Sequence, residues 1–296
     1  MDTHWSELIQ TTEELYTSRE VRFHERNKEL WLKHIGVKPG MKVLEVGCGG
    51  GLFCHRLKQY VPDCLVTGLD FDKGHIAFAR KKAEKLGLAC DFVEGDIRNL
   101  PFEDGTFDLV YSYTVLEHIP HDDFYREQRR VLKSGGRISV LLVRNQLNIP
   151  DHTMNEFGAE EKALQKKLWS QVEVDVMTKY HVGMYVQEEH EYPKEMASFG
   201  FQDVDVQVFT VMDYAPDNFT VSDEEAVGQI NSHRTSSLAS MQKGVRLAPE
   251  ALMESEKCRL EELIQRRYDR RISDYKEGKK HWDFSTSTVM VISGRK

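Results

Sequence analysis

Glu45 stands inside an apolar run and is followed at once by Gly47, Gly49, Gly50 and Gly51. Glycine takes positive φ freely, so such a turn can bring backbone N–H groups close to a ligand. If Leu52 to Tyr60 is helical, that ligand sits at a helix N-terminus, where unpaired N–H groups and the dipole gather. Asp70 follows Gly47 by 23 positions, near the separation at which an acidic residue holds a ribose in doubly wound folds. Its alternative role is to cap a helix over 73 to 86. Phe71, directly after it, can pack on a flat base. His118 has the proton chemistry of a base near neutral pH, and Tyr113 can align an acceptor beside it. The competing reading has Glu117 and His118 ordering a loop, with Tyr113 packing there.

These residues need strands and helices to bring them together. Val43, Leu44 and Val46 form the partly β-branched run of a strand buried on both faces. Within that run an unpaired Glu45 carboxylate would be costly. Cys64 to Leu69 reads as a second strand ending at Asp70, Ala89 to Val93 as a third leading to Asp96 and Ile97, and Phe107 to Ser112 as a fourth leading to Tyr113. Arg137 to Val143 reads as a fifth. Open α/β sheets bind ligands at the carboxyl ends of such strands, which is where every candidate above falls.

The glycine turn alone is shared by several cofactor folds, and its sixth position separates them. A dinucleotide fingerprint needs a small residue there for close helix packing, but this chain has Leu52, and no phosphate loop ending in Gly-Lys-Ser/Thr is present. The remaining spelling, Glu45-x-Gly47-x-Gly49-x-Gly51, resembles motif I of the class I S-adenosylmethionine-dependent methyltransferases. Leu116-Glu-His118-Ile and the Gly135-Gly136 turn resemble segments of that family's small-molecule branch, so the likeness covers about residues 40 to 144. The resemblance implies a doubly wound, Rossmann-like, seven-stranded α/β sheet whose last strand lies antiparallel between strands five and six. It implies that Gly47, Cys48 and Gly49 support the methionine portion of S-adenosyl-L-methionine beside Glu45. It also implies that Asp70 holds the ribose, that Phe71 lies on the adenine, and that Asp96 and Ile97 contact the adenine edge. An N-terminal segment often closes over the cofactor in this family, which makes Tyr16, Arg19 and Arg22 candidates for its carboxylate; an arginine fork matches that group. Tyr113 and His118 would then serve the cofactor, the acceptor or both.

Around this centre the sequence predicts an N-terminal helical cap over 1–38, with helices at 3 to 17 and 19 to 35 and Gly36 as a C-terminal cap. The catalytic domain occupies 39–296. Two insertions, at about 145–190 and 215–280, carry helices and together with the cap would form a lid. The first holds a helix at about 158 to 178 with Leu164, Leu168, Trp169 and Val172 on one face, the aromatics Tyr180 and Tyr185, and two further candidate bases, His152 and His181. The second has a capping box at Ser222 and Glu225, Pro249 as a helix start, and a stripe of Leu252, Leu260, Leu263, Ile264, Tyr268 and Ile272. Tyr214 stands at its entrance. Arg266, Arg267, Arg270 and Arg271 read as a solvated face.

Composition bounds the rest. At 296 residues, 40% hydrophobic and 30% charged, the chain can bury a sizeable core. A net charge of −8 disfavours a nucleic-acid surface. No run approaches a membrane span and the N-terminus lacks a signal-peptide core, so a cytoplasmic protein is expected. The 5 cysteines have neither CxxC nor zinc spacing, and the 12 histidines form no metal motif, so no metal is implied. The leading expectation is a methyltransferase acting on O, N or S of a small molecule, as a monomer or homodimer. Methylation of protein or RNA, non-catalytic binding of S-adenosylmethionine, and a nicotinamide dehydrogenase are the alternatives.

Overall fold

The computed structural model describes residues 5–8, 10–20, 22–150, 156–172, 182–214, 216–217, 220–282 and 284–296. Seven strands form one sheet: β1 (Lys42–Val46), β2 (Leu65–Asp70), β3 (Cys90–Glu94), β4 (Phe107–Tyr113), β5 (Leu132–Val143), β6 (Gln202–Tyr214) and β7 (Phe284–Arg295). Their order across the sheet is β3-β2-β1-β4-β5-β7-β6. The first five are parallel, and β7 runs antiparallel to both β5 and β6, as the likeness implied. Val46 lies opposite Leu69 of β2 and Ser112 of β4, so the strands that carry the candidate residues end at one level.

The helices are α1 (Trp5–Leu8), α2 (Thr12–Glu20), α3 (Lys28–Ile35), α4 (Leu52–Tyr60), α5 (Lys73–Leu86), α6 (His121–Val131), α7 (Ala159–Gln171), α8 (Glu191–Ser198), α9 (Asp223–Leu247) and α10 (Glu254–Lys276). Strand side chains alternate between faces. Val43, Val66, Leu109 and Tyr111 pack with Phe53, Leu57 and Ile76 of α4 and α5 and with Phe23, Trp31 and Ile35 of the N-terminal region. Leu44, Val46, Val110 and Val140 pack on the other face with Phe124, Tyr125, Tyr192 and Met196 of α6 and α8. A third core joins Leu168 of α7 to Ala226 and Ile230 of α9 and to Leu260, Ile264 and Tyr268 of α10.

Several boundaries differ from the sequence reading. The stretch expected as one helix over 19 to 35 folds back on itself. Eight residues of helix would separate positions 23 and 31 by about 12 Å, whereas the Phe23 and Trp31 rings lie 4.5 Å apart and both touch Phe53. Trp31 Nε1 anchors the fold-back by donating to Arg22 O at 2.8 Å. The new start of α2 is held by Thr11, whose hydroxyl accepts Glu14 N–H while the Glu14 carboxylate accepts Thr11 N–H. Gly36 caps α3 with φ of 82° as expected.

Ser222 Oγ accepts Glu225 N–H and starts α9, which forms the Ser222 half of the expected capping box. Pro249 does not start α10. It is the second residue of a turn in which Ala251 N–H donates to Ala248 O at 3.0 Å, a position whose φ proline already supplies. The helix begins five residues later, where Glu256 accepts Met253 N–H. Of the four arginines read as solvated, Arg266 is ion-paired to Glu262 near the surface, but Arg267 and Arg271 are 5% and 4% exposed. Arg267 meets Glu161 of α7 at 3.2 Å and Arg271 meets the fully buried Asp217 at 2.7 Å. Charges that far inside must be paired, and their partners lie too distant in sequence to be read.

Candidate functional site

β1 delivers the chain into the glycine turn, where sterics dictate residue type. Gly47 has φ of 69°, and a Cβ there would stand 2.5 Å from Val115 Cγ2. At Gly51, with φ of 77°, a Cβ would meet Phe92 at 2.7 Å and Ala79 at 2.9 Å. The turn is stitched to the end of β2. Cys48 N–H donates to Leu69 O at 3.0 Å, and Gly49 N–H donates to Asp70 Oδ2 at 2.8 Å.

Glu45 lies beneath the turn, 4% exposed, where its Oε2 accepts from Cys54 Sγ at 2.9 Å and Tyr111 Oη at 3.0 Å. The two donors resolve the problem of a carboxyl inside an apolar strand. Burial still raises its pKa to about 7, against the lowering effect of those hydrogen bonds and of Arg19.

Asp70 and Asp72 divide two tasks between them. Asp72 caps α5, accepting Gly74 N–H at 2.8 Å and His75 N–H at 3.2 Å. Asp70 therefore has no capping duty; its Oδ1 accepts Asp72 N–H at 2.9 Å and its Oδ2 holds the glycine turn. Phe71 beside it is 47% exposed. At the end of β3, Gly95 N–H donates to Asp70 O, which ties that rim to the same edge. Asp96 accepts from Arg98 backbone and guanidinium, and Ile97 is buried.

The N-terminal helix lies across the turn. A Cβ on Gly49 would sit 3.0 Å from Leu15 of α2, and one on Gly50 would sit 3.0 Å from Thr12 and 3.4 Å from Tyr16. Tyr16 is buried, its hydroxyl 3.4 Å from His55 Nδ1, and burial pushes its pKa up to about 12. Arg19 Nη2 donates to Thr114 Oγ1 at 3.1 Å, and its guanidinium stands 5.3 Å from the centre of the Tyr113 ring. Arg22 Nη1 donates to Tyr113 Oη at 3.1 Å. Ser6 pins α1 to α5 by donating to both Asp72 oxygens. Tyr16, Arg19, Glu45, Cys48 and Tyr113 thus line one narrow space of about 10 Å³, on the order of a single water. A guanidinium fork and a carboxyl facing one space suit an amino-acid zwitterion. A ligand of that kind enters only if α2 shifts from the turn.

His118 sits apart from that space. Its Nδ1 accepts Gly183 N–H at 2.8 Å, and its ring is 5.2 Å from that of Trp5. Burial first, then the Arg19 charge, lowers its pKa to about 4. The neutral ring spends its basic lone pair on Gly183, so the proton resides on Nε2. In this arrangement His118 is a loop anchor. Glu117 shares that task, because its carbonyl accepts Tyr185 N–H at 3.0 Å. His152, Tyr180 and His181 lie outside the described residues, as does the side chain of Tyr214.

Two residues of the site escaped the sequence reading. Thr114, with φ of 56°, presents the hydroxyl that receives Arg19, and a threonine in the left-handed region leaves no sequence mark. Asp72 was hidden behind Asp70, although an aspartate just before a helix is a common cap. Among the described residues no group of His, Cys, Asp and Glu could hold a metal ion, and no helix is long and apolar enough to cross a membrane.

With that geometry in view, comparison with known proteins is specific for the central segment. Residues 44–140 match the family model described as a methyltransferase domain. A sterol 24-C-methyltransferase of Gibberella zeae is 37% identical over 139 residues, which are 46% of this chain and 36% of that protein. A demethylmenaquinone methyltransferase of Bacillus cytotoxicus is 35% identical over 121 residues, 40% of this chain and 51% of that one. The matched region therefore spans about a third to a half of the curated relatives' length. The solved phosphoethanolamine N-methyltransferase 2 of Haemonchus contortus, in complex with S-adenosyl-L-methionine, aligns over 99% of this chain and 59% of its own at a TM-score of 0.55 and 16% identity. That likeness shows the fold, a Rossmann-like seven-stranded sheet.

Proposed function

We propose that this protein is an S-adenosylmethionine-dependent methyltransferase that methylates a small molecule. The observation that carries the reading is the Gly49 N–H to Asp70 contact at 2.8 Å inside a segment that matches a methyltransferase domain. It joins the glycine turn and the ribose-type carboxylate at one strand edge. When bound, S-adenosylmethionine supplies an electrophilic methyl group on a sulfonium. The chain's own residues then have distinct tasks. Gly47, Cys48 and Gly49 present backbone to the methionine portion, Arg19 and Tyr16 close over it, and Asp70 takes the ribose hydroxyls. Phe71, Asp96 and Ile97 line the adenine end. Methyl transfer is an in-line displacement, so placing the acceptor and excluding water does much of the work.

The acceptor atom proposed is oxygen, nitrogen or sulfur. Carbon is the second reading, favoured by the sterol 24-C-methyltransferases that align with the central segment. Residues 145–190 and 215–280, with the N-terminal cap, are proposed as the lid over the acceptor. Calorimetric titration with S-adenosylmethionine tests the cofactor assignment, and tight NAD binding without it would reverse that assignment. β6 and β7 pair up to Tyr214 and Phe284, so a short hairpin loop can replace 216–282. That variant should keep cofactor affinity and lose acceptor turnover; unchanged turnover would refute the lid.

A further inference from the structure

A second cavity, of about 500 Å³, opens where β5 and β7 meet the two long helices α9 and α10. That size suits a small-molecule ligand. Asn145, two residues beyond the end of β5, marks it as lying on the carboxyl edge of the parallel strands, the edge that carries the glycine turn. Its walls come from three distant stretches of chain, Asn145 to Pro150, His233 to Ser237 with Tyr268, and Ser285 with Thr286.

The lining is polar and almost free of net charge. Asn145, Asn148, Ser236, Ser237 and Tyr268 supply amides and hydroxyls, and no lysine or arginine lines the cavity among the described residues. His233 is turned to a carboxylate, its Nε2 lying 2.6 Å from Asp213 Oδ2, so its ring is engaged by Asp213 rather than offered to a ligand. Four of the polar groups are fixed in place. Asn148 Oδ1 accepts Thr288 N–H at 2.7 Å while its Nδ2 donates to Asn145 Oδ1 at 3.3 Å, and Ser237 Oγ and Tyr268 Oη share a hydrogen bond of 2.7 Å. Thr286 is likewise set by accepting Ile149 N–H at 2.6 Å. The Ser236 and Ser285 hydroxyls are left to the cavity itself. Held amides and hydroxyls that both donate and accept suit hydroxyl groups. An anionic ligand would lose its hydration here and gain no cation. Ile149 and Pro150 add the apolar surface on which the C–H face of such a molecule can rest.

We infer that this cavity binds a neutral, hydroxyl-rich small molecule of the sugar or cyclitol kind, and that it holds the acceptor of the methyl transfer. The second half of that statement rests on the reading in the preceding subsection; the first does not. The full chain is titrated with methyl β-D-glucopyranoside and myo-inositol, and in parallel with glucose 6-phosphate and glucosamine, by saturation-transfer NMR and calorimetry. At least one neutral probe should bind with a Kd on the order of millimolar, and the charged probes about tenfold more weakly or worse. Ser237→Trp, which fills the cavity, and Asn145→Ala, which only trims it, should both weaken the neutral probe while S-adenosylmethionine affinity stays within about twofold. Absence of binding by both neutral probes, preference for the phosphorylated one, or binding that neither substitution alters would overturn the inference. Probe binding by a chain that does not bind S-adenosylmethionine would leave the cavity's assignment standing and remove the methyl-donor reading instead.

Discussion

Glu45→Gln isolates the energetics of the carboxyl under the glycine turn. Glutamine keeps the shape and a carbonyl oxygen that can still accept from Tyr111 and Cys54, but it cannot ionise. The folded-state pKa of Glu45 is raised from 4.5 to about 7 by burial. The unfolded chain therefore gives up this proton near pH 4.5 while the folded protein retains it until about pH 7. Below pH 4.5 both states are protonated and the carboxyl costs nothing extra. Across the window from 4.5 to about 7 the folded state binds more protons, so stability falls as pH rises, and above the window the loss is complete. At about 1.4 kcal/mol for each unit, the whole loss is about 3–4 kcal/mol. Urea denaturation of both proteins from pH 4 to pH 9 reads it as a difference, in which every other titrating group, His55 included, cancels. Glu45→Gln should match wild type at the acid end and become progressively more stable relative to it, with the difference levelling off above about pH 8. Parallel profiles would refute the raised pKa of this carboxyl, and a difference that grows in the acid direction would reverse its sign.

Asp70→Asn puts an amide N–H against either Gly49 N–H or Asp72 N–H. S-adenosylmethionine affinity should fall about 10- to 100-fold by calorimetry, the loss of one charge-assisted hydrogen bond; unchanged affinity would move the ribose elsewhere. Gly51→Ala drives a Cβ into Phe92 at a positive φ and should cost about 2–4 kcal/mol in denaturant unfolding. Arg271→Ala strands the buried Asp217 and should cost about 3–5 kcal/mol, whereas the double substitution Arg271→Met with Asp217→Leu should recover most of it. Equal stability of the single and double variants would show that the pair is not coupled.

Local chemistry was legible in the sequence wherever one short stretch determines it. The positive φ values at Gly47 and Gly51 follow from a glycine turn between a strand and a helix, and the antiparallel seventh strand followed from the family likeness. The cap at Asp72 was obscured because two aspartates fall within three positions and only three-dimensional contacts assign them. Arg267 and Arg271 were misread because a helix stripe shows that arginines interrupt it, not that Glu161 and Asp217 wait opposite. The fold-back between α2 and α3 is dictated by the stacking of Phe23, Trp31 and Phe53, a tertiary demand that overrides an otherwise continuous helical pattern. The candidate site divides the same way. Glu45, Cys48, Tyr16, Arg19 and Tyr113 were each named from sequence, but their convergence on one narrow space depends on α2 crossing the turn.

The placement of β7 between β5 and β6 also bears on the order in which the molecule assembles. Among the described residues β6 is bonded in the sheet only to β7, so this pairing waits until residues 284–295 return across the whole of 215–283. β1 with β2, β2 with β3 and β4 with β5 join through shorter local units. Closure over a long interval becomes costlier only slowly with length, and the packed pair α9 and α10 shortens the flexible part of the span. The β6 edge should nevertheless be a late arrival, because non-local pairing waits on loop closure. In hydrogen exchange its amides would be the last of the sheet to gain protection on refolding, with the walls of the Asn145 cavity completed only at that step.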